Sequence, residues 1–313
     1  RFNNQKPNES MDNIFSKTSF QFSKFIKKFQ PDLIVVHGDR VEALSCAIIG
    51  CLNNIKIAHI EGGELSGTVD EMIRHSISKI ANYHFVTNKF ARKRLLQMGE
   101  KKNSIFVIGS PDIDIILSKK LPPIDIAKKR YGIKFKNYAV AILHPVTTNL
   151  KSLKKNTSTF LKSIIKSRRN FILIYPNNDL GQKIILKYYK NLNKRSNFKI
   201  FRSLRFEYFL TILKNAQFII GNSSSGIIEA PYYGTPCINL GDRQKNRAKI
   251  KSVINCQFHE KKIINNIKKY ENTKFNRIKY FGSGNSDKKF INILKKNKNF
   301  WNKKTQKYFN EIN

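Results

Sequence analysis

The run DLIVV (32–36) is a short apolar strand that ends in HGDR and passes directly into the helical VEALSCAIIGCLNN. The same exchange repeats along the chain. IKIAHIEGG is a strand and its exit loop, TVDEMIRHSISKIAN a helix with Thr68 as its N-cap, and YHFVTN a strand. KFARKRLLQMG is a helix stopped by Gly99, and SIFVIGS another strand. A second series places strands at YAVAILHP, NFILIYPNN, FKIFRS, FIIGN and TPCINLG, with FEYFLTILKNA and SSGIIEAPYYG as helices among them. Fully apolar strands that alternate with helices predict an α/β chain whose parallel sheets are covered on both faces.

Between the two series, LPPIDIAKKRYGIKFKN (121–137) carries a Pro-Pro pair and dense charge, and reads as an interdomain linker. The expected division is 1–134, 135–285 and a lysine-rich, amphipathic helical tail over 286–313. Length permits it, since 313 residues suffice for two cores of ordinary size. The chain opens RFNNQKPNES without an initiator methionine, which reads as the middle of a longer protein.

The formal net charge is +38. The lysines are spread evenly through a chain that is also rich in Asn and Ile, and no basic block with interleaved aromatics occurs. The expectation is a solvated basic surface that steers anionic substrates, not a nucleic-acid partner. No run approaches the roughly 18 apolar residues of a membrane span, and no signal-peptide pattern is present, so a cytoplasmic protein is expected. Cys46, Cys51, Cys237 and Cys256 form no C-x-x-C pair and read as buried thiols in a reducing compartment.

In parallel α/β domains, ligands bind outside the carboxyl ends of the strands. The unusual residues of this chain fall there repeatedly: Asp39 and Arg40, Glu61, Ser110, His144, Asn177, Ser223, and Gly241 to Arg243. Seven coincidences predict a cleft between facing strand ends. GNSSSG (221–226), read as a strand-to-helix turn, would present backbone N–H groups and hydroxyls to an anion. Glu229, about two turns further on, suits a ribose diol. Neither a P-loop nor a G-x-G-x-x-G motif occurs.

HIEGGELSGTVDEMIRHS (59–76) concentrates ionisable groups. Asp70 and Arg74 are i,i+4, as are Glu71 and His75, and both pairs are compatible with plain helix-face ion pairs. Together with Glu61 at a strand end, the density suggests acid/base chemistry. Carboxylates buried together should have one pKa raised, which suits an acid. His37, His59, His75 and His144 lack the local spacing of a metal cluster, so no metal or other cofactor is expected.

HGDR, HIEGGELSGTVDEMIRHS, IGSPDID, HPVTTN, YPNNDLGQ and GNSSSGIIEAPYYGTPCINLGDRQ together resemble the UDP-N-acetylglucosamine 2-epimerase family. Arg40 and the pair Gly62-Gly63 are similar to its hydrolysing branch, which makes N-acetylmannosamine for sialic-acid-type sugars. The resemblance implies two Rossmann-like domains facing a cleft, in the glycosyltransferase-B manner, with the first lacking its N-terminal strand. It also implies a homo-oligomer. By resemblance, Ser223 and Ser224 hold the diphosphate, Glu229 the ribose and segment 202–206 the base. Arg243 adds charge, and Arg40 and Asn177 complete the substrate-binding set. Asp39, Glu61, Asp70, Arg74 and His144 carry the chemistry: UDP leaves C1 as C2 loses its proton, then water adds at C1 and C2 is reprotonated on the other face. The family's opening G-[ST]-R-A-[DE] loop lies upstream of the segment that residue 1 matches. Alternative readings are a related epimerase of another UDP- or GDP-amino sugar, a glycosyltransferase of the same fold, and an inactive nucleotide-sugar binder.

Overall fold

The computed structural model describes residues 9–296, 298–302, 304–308 and 310–311. Its contacts divide the chain into two units. Unit 1 runs to Leu65, resumes over Val69–Leu117 and again from Tyr280; unit 2 is Ser66–Thr68 and Ser118–Lys279.

Unit 1 begins with α1 (Met11–Phe29), β1 (Leu33–His37), α2 (Val41–Leu52), β2 (Lys56–Ile60) and α3 (Val69–Ile80). It continues through β3 (Tyr83–Val86), α4 (Lys89–Gln97), β4 (Ile105–Val107) and α5 (Pro111–Ile116). The strands pair in parallel in the order β1-β2-β3-β4. Alternation along them feeds two cores. Ile34, Val36 and Ile57 meet Phe22 and Ile26 of α1 and Ile73 and Ile77 of α3, while Ala58, Tyr83 and Phe85 fill the opposite face. Helix α1 is not anticipated by the sequence pattern. It buries Ile14, Thr18, Phe22 and Ile26 at a four-residue spacing, but Phe20 and Phe29 on its other side are exposed, which blurs the contrast between faces.

Unit 2 contains α6 (Ile124–Tyr131), β5 (Ala139–Ile142), α7 (Leu153–Lys166), β6 (Phe171–Ile174), α8 (Gln182–Lys190) and β7 (Phe198–Phe201). Then come α9 (Phe206–Lys214), β8 (Ile219–Gly221), β9 (Cys237–Leu240), β10 (Val253–Cys256) and α10 (Glu260–Tyr270). Its six parallel strands lie in the order β10-β9-β8-β5-β6-β7. Both units are Rossmann-like, the composition of the glycosyltransferase-B class.

Four expectations change. The segment 121–137 is not a free linker: Ala127 of α6 is buried, and Thr211 of α9 donates to Pro122 O at 2.7 Å. The tail is not a separate body. It forms α11 (Ser286–Lys296) and α12 (Lys298–Asn302), which belong to unit 1. Asp114 accepts the Ser286 N–H at 3.0 Å and hydroxyl at 2.7 Å, Phe290, Ile293 and Leu294 cover the sheet, and the Phe300 ring stacks on Tyr83 at 3.9 Å. SSGIIEAPYYG is not an α-helix but two 3-10 turns, Ser224–Gly226 and Ala230–Tyr233. Pro231 has no N–H to offer an i−4 carbonyl, and Gly226 and Gly234 bracket the segment. Finally, Cys51 is exposed at the end of α2 and Cys46 half-buried, although all four cysteines are free.

Candidate functional site

In unit 2 the winding of the sheet reverses between β5 and β8, and a ligand is expected outside the carboxyl ends at that switch point. The chain leaves β5 into Leu143 and His144, and leaves β8 into Asn222 and Ser223. A cavity of about 470 Å³ opens there. Its polar lining includes His144, Asn222, Arg243, Lys155, Asn156 and Thr148.

His144 Nδ1 accepts the N–H of Asn177 at 3.0 Å. The neutral ring therefore carries its proton on Nε2, as a donor. Burial first, and then the charge of Arg243, hold its pKa down to about 3, so His144 is uncharged at neutral pH. Arg243 donates to Asn222 O at 3.2 Å, and its own carbonyl accepts from Gly67 N at 3.1 Å. Gly67 also lines the cavity, and a Cβ there would overlap the carbonyl oxygen of Asp242. The segment Ser66–Thr68 thus leaves no room for a side chain at its centre.

Of the site residues predicted in unit 2, His144, expected to carry chemistry, and Arg243, expected to bind substrate, line the cavity, whereas Ser223, Ser224, Glu229 and Asn177 do not. Ser223 caps the first 3-10 turn, its hydroxyl accepting from Ser225 N at 3.3 Å. Glu229 is buried just ahead of the second. The helix dipole expected at GNSSSG is absent. The α-helix that begins beside the cavity is α7, which follows a 3-10 turn over Thr147–Ser152.

In unit 1 the groups gather at the carboxyl ends of β1 and β2. Arg74, 2% exposed, pairs with Asp39 and donates to Glu64 O at 3.1 Å. Glu61 adopts φ +66°, a left-handed backbone that a non-glycine residue rarely holds. One carboxylate oxygen accepts the Ser110 hydroxyl, and the other lies 3.2 Å from His37 Nε2. Behind them, fully buried His59 bonds Gly38 O at 2.8 Å and Ser78 Oγ at 3.1 Å. This pair fixes the loop that carries Asp39 and explains Gly62, where a Cβ would lie 2.8 Å from Ser78 Oγ and 2.9 Å from His59 Nδ1. Asp70 lies in the first turn of α3. Arg40 precedes α2, its Nε 3.6 Å from Glu42, and Glu71 and His75 form the expected i,i+4 pair at 3.7 Å. Among the described residues, no group of three His, Cys, Asp or Glu side chains is placed to hold a metal, and no helix is long and apolar enough to cross a membrane.

A family model described as UDP-N-acetylglucosamine 2-epimerase matches residues 1–295. The chain belongs to the UDP-N-acetylglucosamine 2-epimerase family. It is 42% identical over 317 residues to the UDP-N-acetylglucosamine 2-epimerase of Neisseria meningitidis serogroup B, covering 100% of this chain and 83% of that protein. It is 34% identical over 278 residues to the UDP-N,N'-diacetylbacillosamine 2-epimerase (hydrolyzing) of Legionella pneumophila, covering 88% of this chain and 73% of that one. Among solved structures, it is similar in fold to the Methanocaldococcus jannaschii UDP-GlcNAc 2-epimerase in complex with UDP-GlcNAc and UDP. The TM-score is 0.80 at 24% identity, covering 92% of this chain and 82% of that one. Within this epimerase family member, sequence reasoning missed Asn222 and Lys155 in unit 2 and His37 in unit 1. Lys155 had no signal, being one of 59 basic residues. His37 did have one, since it opens the HGDR loop that carries Asp39.

Proposed function

We propose that this chain is a hydrolysing UDP-N-acetylglucosamine 2-epimerase, releasing N-acetylmannosamine and UDP. The observation that carries the reading is the pairing of two different sites in one family member. Unit 2 has a basic, polar cavity at its switch point, and unit 1 has Asp39, Arg74 and Glu61 at strand ends. The hydrolysing branch is supported by the motif residues Arg40 and Gly62-Gly63 and by the similarity to the Legionella enzyme.

Unit 2 holds the nucleotide. Arg243 and Lys155 meet the diphosphate's charge, and His144 donates Nε2–H to it, which favours UDP as a leaving group. Ser223, Ser224, Glu229 and Asn177, although outside the cavity lining itself, are assigned to the same nucleotide. Unit 1 moves protons through Asp39, Glu61 and Asp70. One group takes the C2 proton as the C1–O bond to UDP breaks, giving a glycal-like intermediate. Water then adds at C1, and a proton returns to C2 on the opposite face. Positioned acid/base groups contribute about 10²–10⁴-fold each. Arg74 pairs with Asp39 and orients its carboxylate.

Incubation with UDP-GlcNAc in D2O-enriched H2¹⁸O tests the proposal. Free UDP should appear together with N-acetylmannosamine carrying ¹⁸O at C1 and deuterium at C2. Formation of UDP-N-acetylmannosamine with the nucleotide retained would overturn it. Glu61→Gln and Asp70→Asn should each lose most turnover, and near wild-type rates in both would remove their assigned roles. A second reading, a UDP-linked diacetamido sugar as substrate, is favoured by the Legionella relative. It predicts a higher kcat/KM for that sugar than for UDP-GlcNAc.

A further inference from the structure

The carboxylate of Glu61 is 12% exposed, and the imidazole beside it, His37, is 45% exposed. Glu61 has Ser110 on one oxygen and His37 Nε2 at 3.2 Å from the other. The imidazole is thus a half-open side chain placed against an almost enclosed carboxylate. Its register on β1 is fixed by parallel pairing, His37 opposite Ile60 of β2, and by the neighbouring Gly38 N–H, which donates to Ile60 O at 3.0 Å. Glu61, immediately past the end of β2 at Ile60, has a left-handed backbone. Holding a backbone conformation that non-glycine residues rarely adopt argues for a required placement.

We propose that His37 relays protons between Glu61 and bulk water. The inference rests on the acid/base role given to Glu61 above. In the unloading direction, the O–H bond on Glu61 Oε2 breaks and an N–H bond forms at His37 Nε2. The Nδ1–H bond then breaks and that proton passes to water, leaving a carboxylate and a neutral imidazole protonated on Nε2. The reverse sequence, with a proton from water entering at Nδ1, loads the carboxyl. His37 acts through Glu61 and is a positioning residue for its proton. The charged groups that face it suit the task. Glu61 at the end of β2, Asp112 of α5 and Glu64 of the loop after β2 all favour the imidazolium, and the Glu61 hydrogen bond, opposed by burial, raises the ring's pKa above its ordinary value. His59, behind it on β2, is held neutral and adds no opposing charge near pH 7.

The test uses the full chain with His37→Gln, His37→Ala and Glu61→Gln. His37→Gln keeps a hydrogen-bond donor but cannot relay. Its kcat should fall on the order of 10²-fold, while KM and UDP affinity stay within about two-fold. Added imidazole should restore turnover to His37→Ala and do nothing for Glu61→Gln, a response that a merely structural histidine would not give. An undiminished kcat in His37→Gln, or no rescue by imidazole, overturns the relay. A second measurement needs no turnover: the His37 ring titration by NMR should fall back towards its ordinary value in Glu61→Gln. If wild-type protein shows no activity on UDP-sugars, the proposed function fails. The relay is then decided by the titration alone, and an unmoved His37 overturns it.

Discussion

His144 and Asn222 hold each other across the switch point of unit 2. His144 N donates to Asn222 Oδ1 at 2.7 Å, and Asn222 Nδ2 donates to His144 O at 2.9 Å. The carbonyl of Asn222 in turn receives Arg243 at 3.2 Å. One amide side chain therefore ties the ends of β5 and β8, and its backbone holds the cavity's arginine.

Asn222→Asp should separate these functions. An aspartate can still accept from His144 N but cannot donate to His144 O, leaving a buried carbonyl unmet at a cost of about 1–3 kcal/mol. Urea unfolding should show that loss, and isothermal titration should show weaker UDP binding. Unchanged UDP affinity would detach the amide bridge from the cavity.

Arg74 is the most enclosed charge of unit 1, and its planar guanidinium serves both Asp39 and Glu64 O. Arg74→Met should cost about 2–3 kcal/mol, less than for a fully buried pair because Asp39 is partly solvated. Arg74→Lys should not rescue it, since a single ammonium cannot reproduce the fork. Thermal unfolding of both variants, with turnover measured in parallel, checks this.

Gly62→Ala should destabilise unit 1 by about 1–3 kcal/mol, because the added methyl meets Ser78 Oγ and His59 Nδ1 at 2.8 and 2.9 Å. Ser78→Ala removes the nearer obstacle. The double variant should therefore be more stable than the sum of the single losses predicts, and strict additivity in a double-mutant cycle would refute the steric account.

Acid should destabilise the protein over a defined window. Burial holds His59 at about 3, and burial together with Arg243 does the same for His144, whereas an unfolded histidine titrates near 6.5. From pH 6.5 downward the unfolded chain binds protons that the folded chain refuses, so stability is full above that value and is lost progressively towards pH 3. His37, raised by Glu61, works in the opposite sense and contributes stability as pH falls through its own value. Replacing His59 with Gln should flatten the loss by at most about 1.4 kcal/mol per pH unit, read from urea midpoints between pH 7 and 4.

The strands were legible because parallel sheets buried on both faces demand unbroken apolar runs such as DLIVV and YAVAIL. The strand-end rule led to Asp39, Glu61, His144 and Arg243. It could not show contacts between distant segments: the fold brings Arg74 to Asp39, 35 positions away in sequence. GNSSSG misled because its serines imitate a helix cap while Pro231 prevents the helix. Asn222 was hidden because its role lies in a reciprocal bond to a residue 78 positions distant, which no local spacing encodes.

The stacking of Phe300 on Tyr83 has a consequence for synthesis. One face of the unit 1 sheet is covered by α11 and α12, which leave the ribosome only after all of Ser118–Lys279. At ordinary elongation rates Tyr83 and Phe85 wait roughly ten to forty seconds for their cover. The half of the molecule that is translated first is thus the half that matures last, and during that interval its bare aromatic face is a client surface for chaperones and a site of aggregation.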